Sequence, residues 1–113
     1  MYEINLSQIT EKGNNKITSL GGKDNGLAAA EKLHIVDLAK KHDIIKIIVP
    51  GYIKGFHSSY FAGLFSQIIS DLGNSRCKFE NKFIFDADDK ILEQINDGID
   101  LCFMDTSAVR IKK

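Results

Sequence analysis

The chemistry-bearing residues of this 113-residue chain gather between Val49 and Gly73. There an apolar run ends, Gly51–Gly55 turns, and His57-Ser58-Ser59 opens an aromatic and aliphatic stripe. Free amide donors at a helix start favour negative charge. Ser58 or Ser59 can therefore either cap the helix or carry a phosphate there. His57 beside them is no evidence of a nucleophile pair, because neighbouring residues rarely aim a base onto a hydroxyl. His34, His42 and His57 are scattered, as are Cys77 and Cys102, so no zinc-ligand spacing exists. Asp86, Asp88 and Asp89 match no calcium loop and read as the acidic first turn of a helix. Gly21-Gly22-Lys23-Asp24-Asn25-Gly26 fits neither a Walker nor a GxGxxG pattern and reads as a strand-to-helix loop. No metal, no cofactor and no catalytic constellation are expected.

The outer side of the helix after Ser58 is unusual. Opposite its apolar stripe lie Ser59, Ala62, Gly63, Ser66, Gln67 and Ser70, with Asp71 as the one charge near the end. Charged residues make up 27% of the chain, so a solvated face would be expected to carry several. A small neutral face lets another surface approach closely, and interface cores are depleted in charge. Gly63 costs about 1 kcal/mol of helix stability relative to alanine, which a close contact can offset. Three coverings remain open: another helix of the same domain, a partner protein, or a second copy in a homodimer. For an outside contact the candidate residues are Ser58, Ser59, Ala62, Gly63 and Ser66, with His57 and the Gly51–Gly55 loop at the rim.

The elements that position these residues follow from periodicity. Tyr2, Ile4 and Leu6 alternate with polar residues as in a half-buried strand. Lys12-Gly13-Asn14-Asn15 signals a turn, and Lys16–Leu20 can return as a second strand. Helix formers run from Leu27 to about His42, as one helix or as two broken near Leu33–His34. Ile44–Val49 is nearly all β-branched, as required of a strand covered on both faces. Tyr60, Phe61, Leu64, Phe65, Ile68, Ile69 and Leu72 repeat at helical spacing, with Gly73 as the stop. Lys82–Phe85 reads as a strand, and a last helix carries Ile91, Leu92, Ile95 and Ile99. Phe103–Lys113 is open between helix extension, edge strand and tail. The order β-β-α-β-α-β-α predicts one α/β domain over residues 1–113: a small mixed sheet flanked by helices, with Ile44–Val49 inside it.

Composition narrows the partners. Fifteen basic and fifteen acidic side chains cancel, whereas nucleic-acid binders need a basic excess or face. Lys40, Lys41 and His42, and Arg110, Lys112 and Lys113, read as helix-end and tail charges. No nucleic acid is expected as a partner. Ile44–Val49 is too short to span a bilayer, and Met1–Ile9 carries Glu3, Asn5, Ser7 and Gln8 rather than an apolar export segment. A cytoplasmic protein without membrane contact is expected. Its two cysteines can form one bridge or stay buried and reduced, and the compartment favours the latter.

The stretch Ile47-Ile48-Val49 followed by Gly55-Phe56-His57-Ser58-Ser59-Tyr60-Phe61-Ala62-Gly63-Leu64 resembles the STAS-like domains of unknown function. These are small bacterial and phage-borne relatives of the anti-sigma factor antagonists. The serine-aromatic pair Ser59-Tyr60, the helix end Asp71-Leu72-Gly73, the strand Phe83–Asp86 and Gly26-Leu27-Ala28 carry the likeness, over roughly Gly26–Leu101. The resemblance implies a STAS-like fold and a regulatory, non-enzymatic role. In the antagonists, the corresponding helix docks on a kinase-like anti-sigma factor. Phosphorylation of a serine at its start breaks the complex by charge repulsion and desolvation. By position that serine is Ser58. This chain has His57 where the antagonists have aspartate, and Tyr60 where they have the glycine after the serine pair. The expectation is a protein-binding module; its alternatives are a phage or mobile-element inhibitor of a host system on the same fold, and a small hydrolase or nucleotide-binding protein.

Overall fold

The computed structural model describes residues 1–13 and 15–111, with side chains described as far as Phe103 except that of Lys12. The chain opens with β1 (Tyr2–Asn5), a single turn α1 (Ser7–Thr10) and three two-residue strands, β2 (Glu11–Lys12), β3 (Asn15–Lys16) and β4 (Ser19–Leu20). Helices α2 (Lys23–Leu33) and α3 (Ile35–Lys41) lead to β5 (Ile45–Ile48) and the short β6 (Gly55–Phe56). Then come α4 (Ser58–Asp71), α5 (Arg76–Lys82), β7 (Phe83–Asp86) and α6 (Asp89–Ile111). Asn14 of the expected turn and the expected basic end at Arg110, Lys112 and Lys113 lie outside the described residues or side chains.

The architecture is α/β with a small parallel sheet. Its order is β1-β5-β7, so the β-branched run does take the central place. The mixed sheet expected from the sequence is instead all parallel, because Lys16–Leu20 never returns beside β1 as one strand. Asn15–Lys16 closes a hairpin on Glu11–Lys12, and Ser19–Leu20 diverges to pair in parallel with Gly55–Phe56. Register places Ile4 beside Ile47 and Ile45 beside Phe83, and these four side chains are buried. Helix α4 covers that face, with the Phe65 ring 5.2 Å from Phe83 and 5.8 Å from Phe85.

The opposite face of the sheet departs from expectation. Glu3, Lys46, Ile84 and Asp86 line it, Ile84 is 45% exposed, and Lys46 Nζ meets Asp86 Oδ2 at 3.6 Å. The central strand is thus covered on one side and half-open on the other, and the lone lysine in its apolar run points to the open side.

Helix boundaries have local causes. The long helical stretch breaks at His34, which sits in the left-handed region (φ 54°, ψ 38°) and is both the end of α2 and the start of α3. Gly21-Gly22 alone is loop, since α2 already begins at Lys23. Gly73, with φ +70°, lets α4 close its end by Gly73 N–H donating to Ser70 O and Asn74 N–H to Ile69 O; this is the Schellman pattern. Asp88 caps α6, its Oδ1 accepting from Ile91 N–H at 2.9 Å. Helix α5, absent from the sequence reading, is capped by Ser75 Oγ accepting from Lys78 N–H. The segment after Phe103 continues α6 as a helix to Ile111.

Candidate functional site

Every residue singled out around Ser58 falls on α4 or at its start, and the neighbouring elements divide the set in two. Helix α2 crosses α4 where two glycines face each other. A Cβ on Gly63 would overlap the Lys23 carbonyl oxygen, and a Cβ on Gly26 would overlap that of Tyr60. Gly63 is buried in this crossing, so it presents no surface to an outside partner. The close contact that its helix cost foretold is made within the chain, by α2.

The remaining small residues stay open. Ser59, Ser66 and Ser70 are exposed and Ala62 is half-buried. Their spacing of three, four and four residues puts them on one strip along α4. Helix α6 packs on the other side of α4, close enough that a Cβ on Gly98 would stand 2.8 Å from Phe61 Cγ. No charged residue lies on the strip between Ser59 and Ser70.

The start of α4 is held by the β4–α2 loop. His57 precedes the helix in an extended conformation, and no side chain caps the first turn. Neither serine is therefore the cap: Ser58 and Ser59 are the first two helical residues, the former half-buried and the latter exposed. Ser59 Oγ accepts the Gly22 N–H at 3.1 Å. His57 Nε2 lies 3.4 Å from Ser19 Oγ, and a Cβ on Gly21 would be 3.0 Å from His57 Cδ2. The Ser19–His57 contact is at the outer limit of a hydrogen bond. Among the described residues no carboxylate is bonded to that ring, so the pair lacks the third group that orients a catalytic histidine.

Beneath the strip, Tyr60 is 4% exposed, and burial pushes its phenol up to about 12. Among the described residues no group of three histidine, cysteine or acidic side chains is placed to hold a metal ion. Cys77 is exposed and Cys102 half-buried, both free, which corrects the expectation of two buried thiols. The apolar desolvation around Cys102 raises its thiol above the ordinary value. Among the described residues no helix is long and apolar enough to cross a membrane.

Two of the concave features beside α2 have no clear counterpart in the sequence pattern. One lies between α2, α3 and α4, over Leu27, Val36 and Leu64. The other lies between α1, β4 and α2, with Tyr60 in its lining. The second has a sequence trace, since Asn25, Ala28, Ala29 and Lys32 share one helix face, but its facing wall comes from segments without periodicity. The chain matches no protein-family model, and no curated protein or solved structure shows significant similarity to it.

Proposed function

We propose that this protein is a non-enzymatic regulatory module of the STAS-like class that docks on a partner protein through the open strip of α4. The observation that carries the reading is the strip itself: Ser59, Ala62, Ser66 and Ser70 in one row, small, uncharged and facing outward. Covering such a row with a protein surface requires no lysine or carboxylate to be stripped of water, a cost that charged rows impose. Ser58 and His57 form its upper end, and the uncapped first turn adds free amide donors there. A partner with backbone or side-chain acceptors would suit those donors; a kinase-like anti-sigma factor is the partner that the STAS-like resemblance implies. Phosphate on Ser58 would bring about two negative charges to this end and weaken the complex by desolvation.

A tagged pull-down from cells of the source, with the bound proteins identified, tests this. Wild type, Ala62→Arg, Ser58→Glu and Ile84→Lys on the open sheet face are compared after circular dichroism shows each folded. Enrichment of one protein by wild type and Ile84→Lys but not by Ala62→Arg is expected, with Ser58→Glu reduced. Equal enrichment by folded Ala62→Arg, or no enrichment at all, refutes the docking strip. In that case light scattering decides whether the strip instead joins two copies.

A further inference from the structure

We propose that the cavity between α1, β4 and α2 binds a small organic anion with an apolar body. The cavity holds about 220 Å³. An apolar cavity of about 150 Å³ suffices for benzene, so a single ring bearing a carboxylate fits this one. Ile9, Ile17, Leu20 and Ala29 supply apolar wall, and Tyr60 also lines it. Ile17 is 43% exposed, so an apolar ligand would cover apolar surface there. Ser19, Asn25 and Lys32 add polar side chains to the lining, the last two on one face of α2 and two turns apart. Among the described lining residues Lys32 is the one charged group and it is exposed, so an anion is the charged ligand it could pair with.

Benzoate is a suitable probe and benzamide its neutral isostere, each titrated into the whole ¹⁵N-labelled chain while amide shifts are followed. Saturable shifts at Leu20, Gly21 and Ala29 are expected for benzoate, with benzamide binding at least about 3-fold more weakly. Lys32→Gln, an exposed helix substitution that keeps the fold, is expected to remove that preference. Ala28→Trp, at an exposed lining position, is expected to abolish the shifts for both. Absence of saturable shifts at the cavity amides overturns the proposal, as does equal binding of benzoate and benzamide, or a benzoate affinity unchanged by Lys32→Gln. None of these readouts involves the α4 strip, so the cavity and the docking proposal fail separately.

Discussion

Replacing Gly63 by alanine sets two effects of known size against each other. Helix propensity alone favours the change by about 1 kcal/mol. The α2–α4 crossing opposes it, because the new Cβ would overlap the Lys23 carbonyl oxygen and stand 2.9 Å from Leu27 N. Both are main-chain atoms and cannot rotate aside, so the helices must move apart and loosen the packing along their length. Overpacking of a core costs about 1–3 kcal/mol, and an obstruction by backbone belongs at the upper end. The net expectation is a loss of about 2 kcal/mol, or a fall in Tm of about 8 °C for a chain of this size. Thermal and urea melts followed by circular dichroism measure it. Gly51→Ala is the control: nothing lies within 4 Å of its Cβ position, so it should be neutral or stabilising by up to about 1 kcal/mol. Gly26→Ala should resemble Gly63→Ala, and the double variant should cost less than the sum, since either change alone already separates the helices. A Gly63→Ala protein as stable as wild type, or more so, would refute the close crossing.

Three further outcomes are expected. Phe56 is fully buried and its N–H donates to Gln94 Oε1 at 2.6 Å; Gln94→Ala should cost about 1–3 kcal/mol in urea melts, Gln94→Glu should largely restore it, and equal losses would show that the acceptor is immaterial. The native chain holds the Tyr60 proton up to about 12 whereas a free phenol loses it near 10, so between those pH values the unfolded state binds fewer protons and stability falls as pH rises. That loss is at most about 3 kcal/mol and absent below pH 10, and a pH slope that Tyr60→Phe leaves unchanged would remove the explanation. Iodoacetamide should modify exposed Cys77 well before Cys102, whose thiol is half-buried and raised by desolvation; mass spectrometry of a time course would expose the reverse order.

Periodicity made the larger elements legible and left the connecting ones obscure. The seven-residue apolar stripe from Tyr60 to Leu72 marks α4 because no strand can place those positions on one face. The central strand was equally clear, but its environment was not. Ile44–Val49 reads as buried on both sides, and one lysine, Lys46, is the sole local sign that one side faces water. The region before α2 departs from its sequence pattern for a different reason. Strands of two residues, such as Ser19–Leu20 and Gly55–Phe56, are too short for any period and exist only because the fold lays them side by side. Helix α5 has its cap in Ser75, yet its interior sequence, Arg76–Lys82, carries one fully buried apolar residue, Phe79, and so no stripe.

The uncharged face of α4 shows how little a compositional signal says about what lies against a surface. Loss of charge and loss of side-chain volume have separate physical causes, and on α4 they fall on adjacent rows. Gly63 lacks a side chain because the backbone of α2 occupies that space, a demand that Gly26 meets from the other helix. Two glycines 37 residues apart in sequence thus form one contact, and neither alone indicates its partner. On the row Ser59, Ala62, Ser66 and Ser70 the ties are weaker: Ser59 Oγ accepts the Gly22 N–H, Ala62 is half-buried, and Ser66 and Ser70 are exposed. At exposed Ser66 and Ser70 a lysine or glutamate would stand in water, so burial does not account for their neutrality. A neutral row that burial only partly explains suits an external contact, which is why the docking proposal rests on this row and not on Gly63.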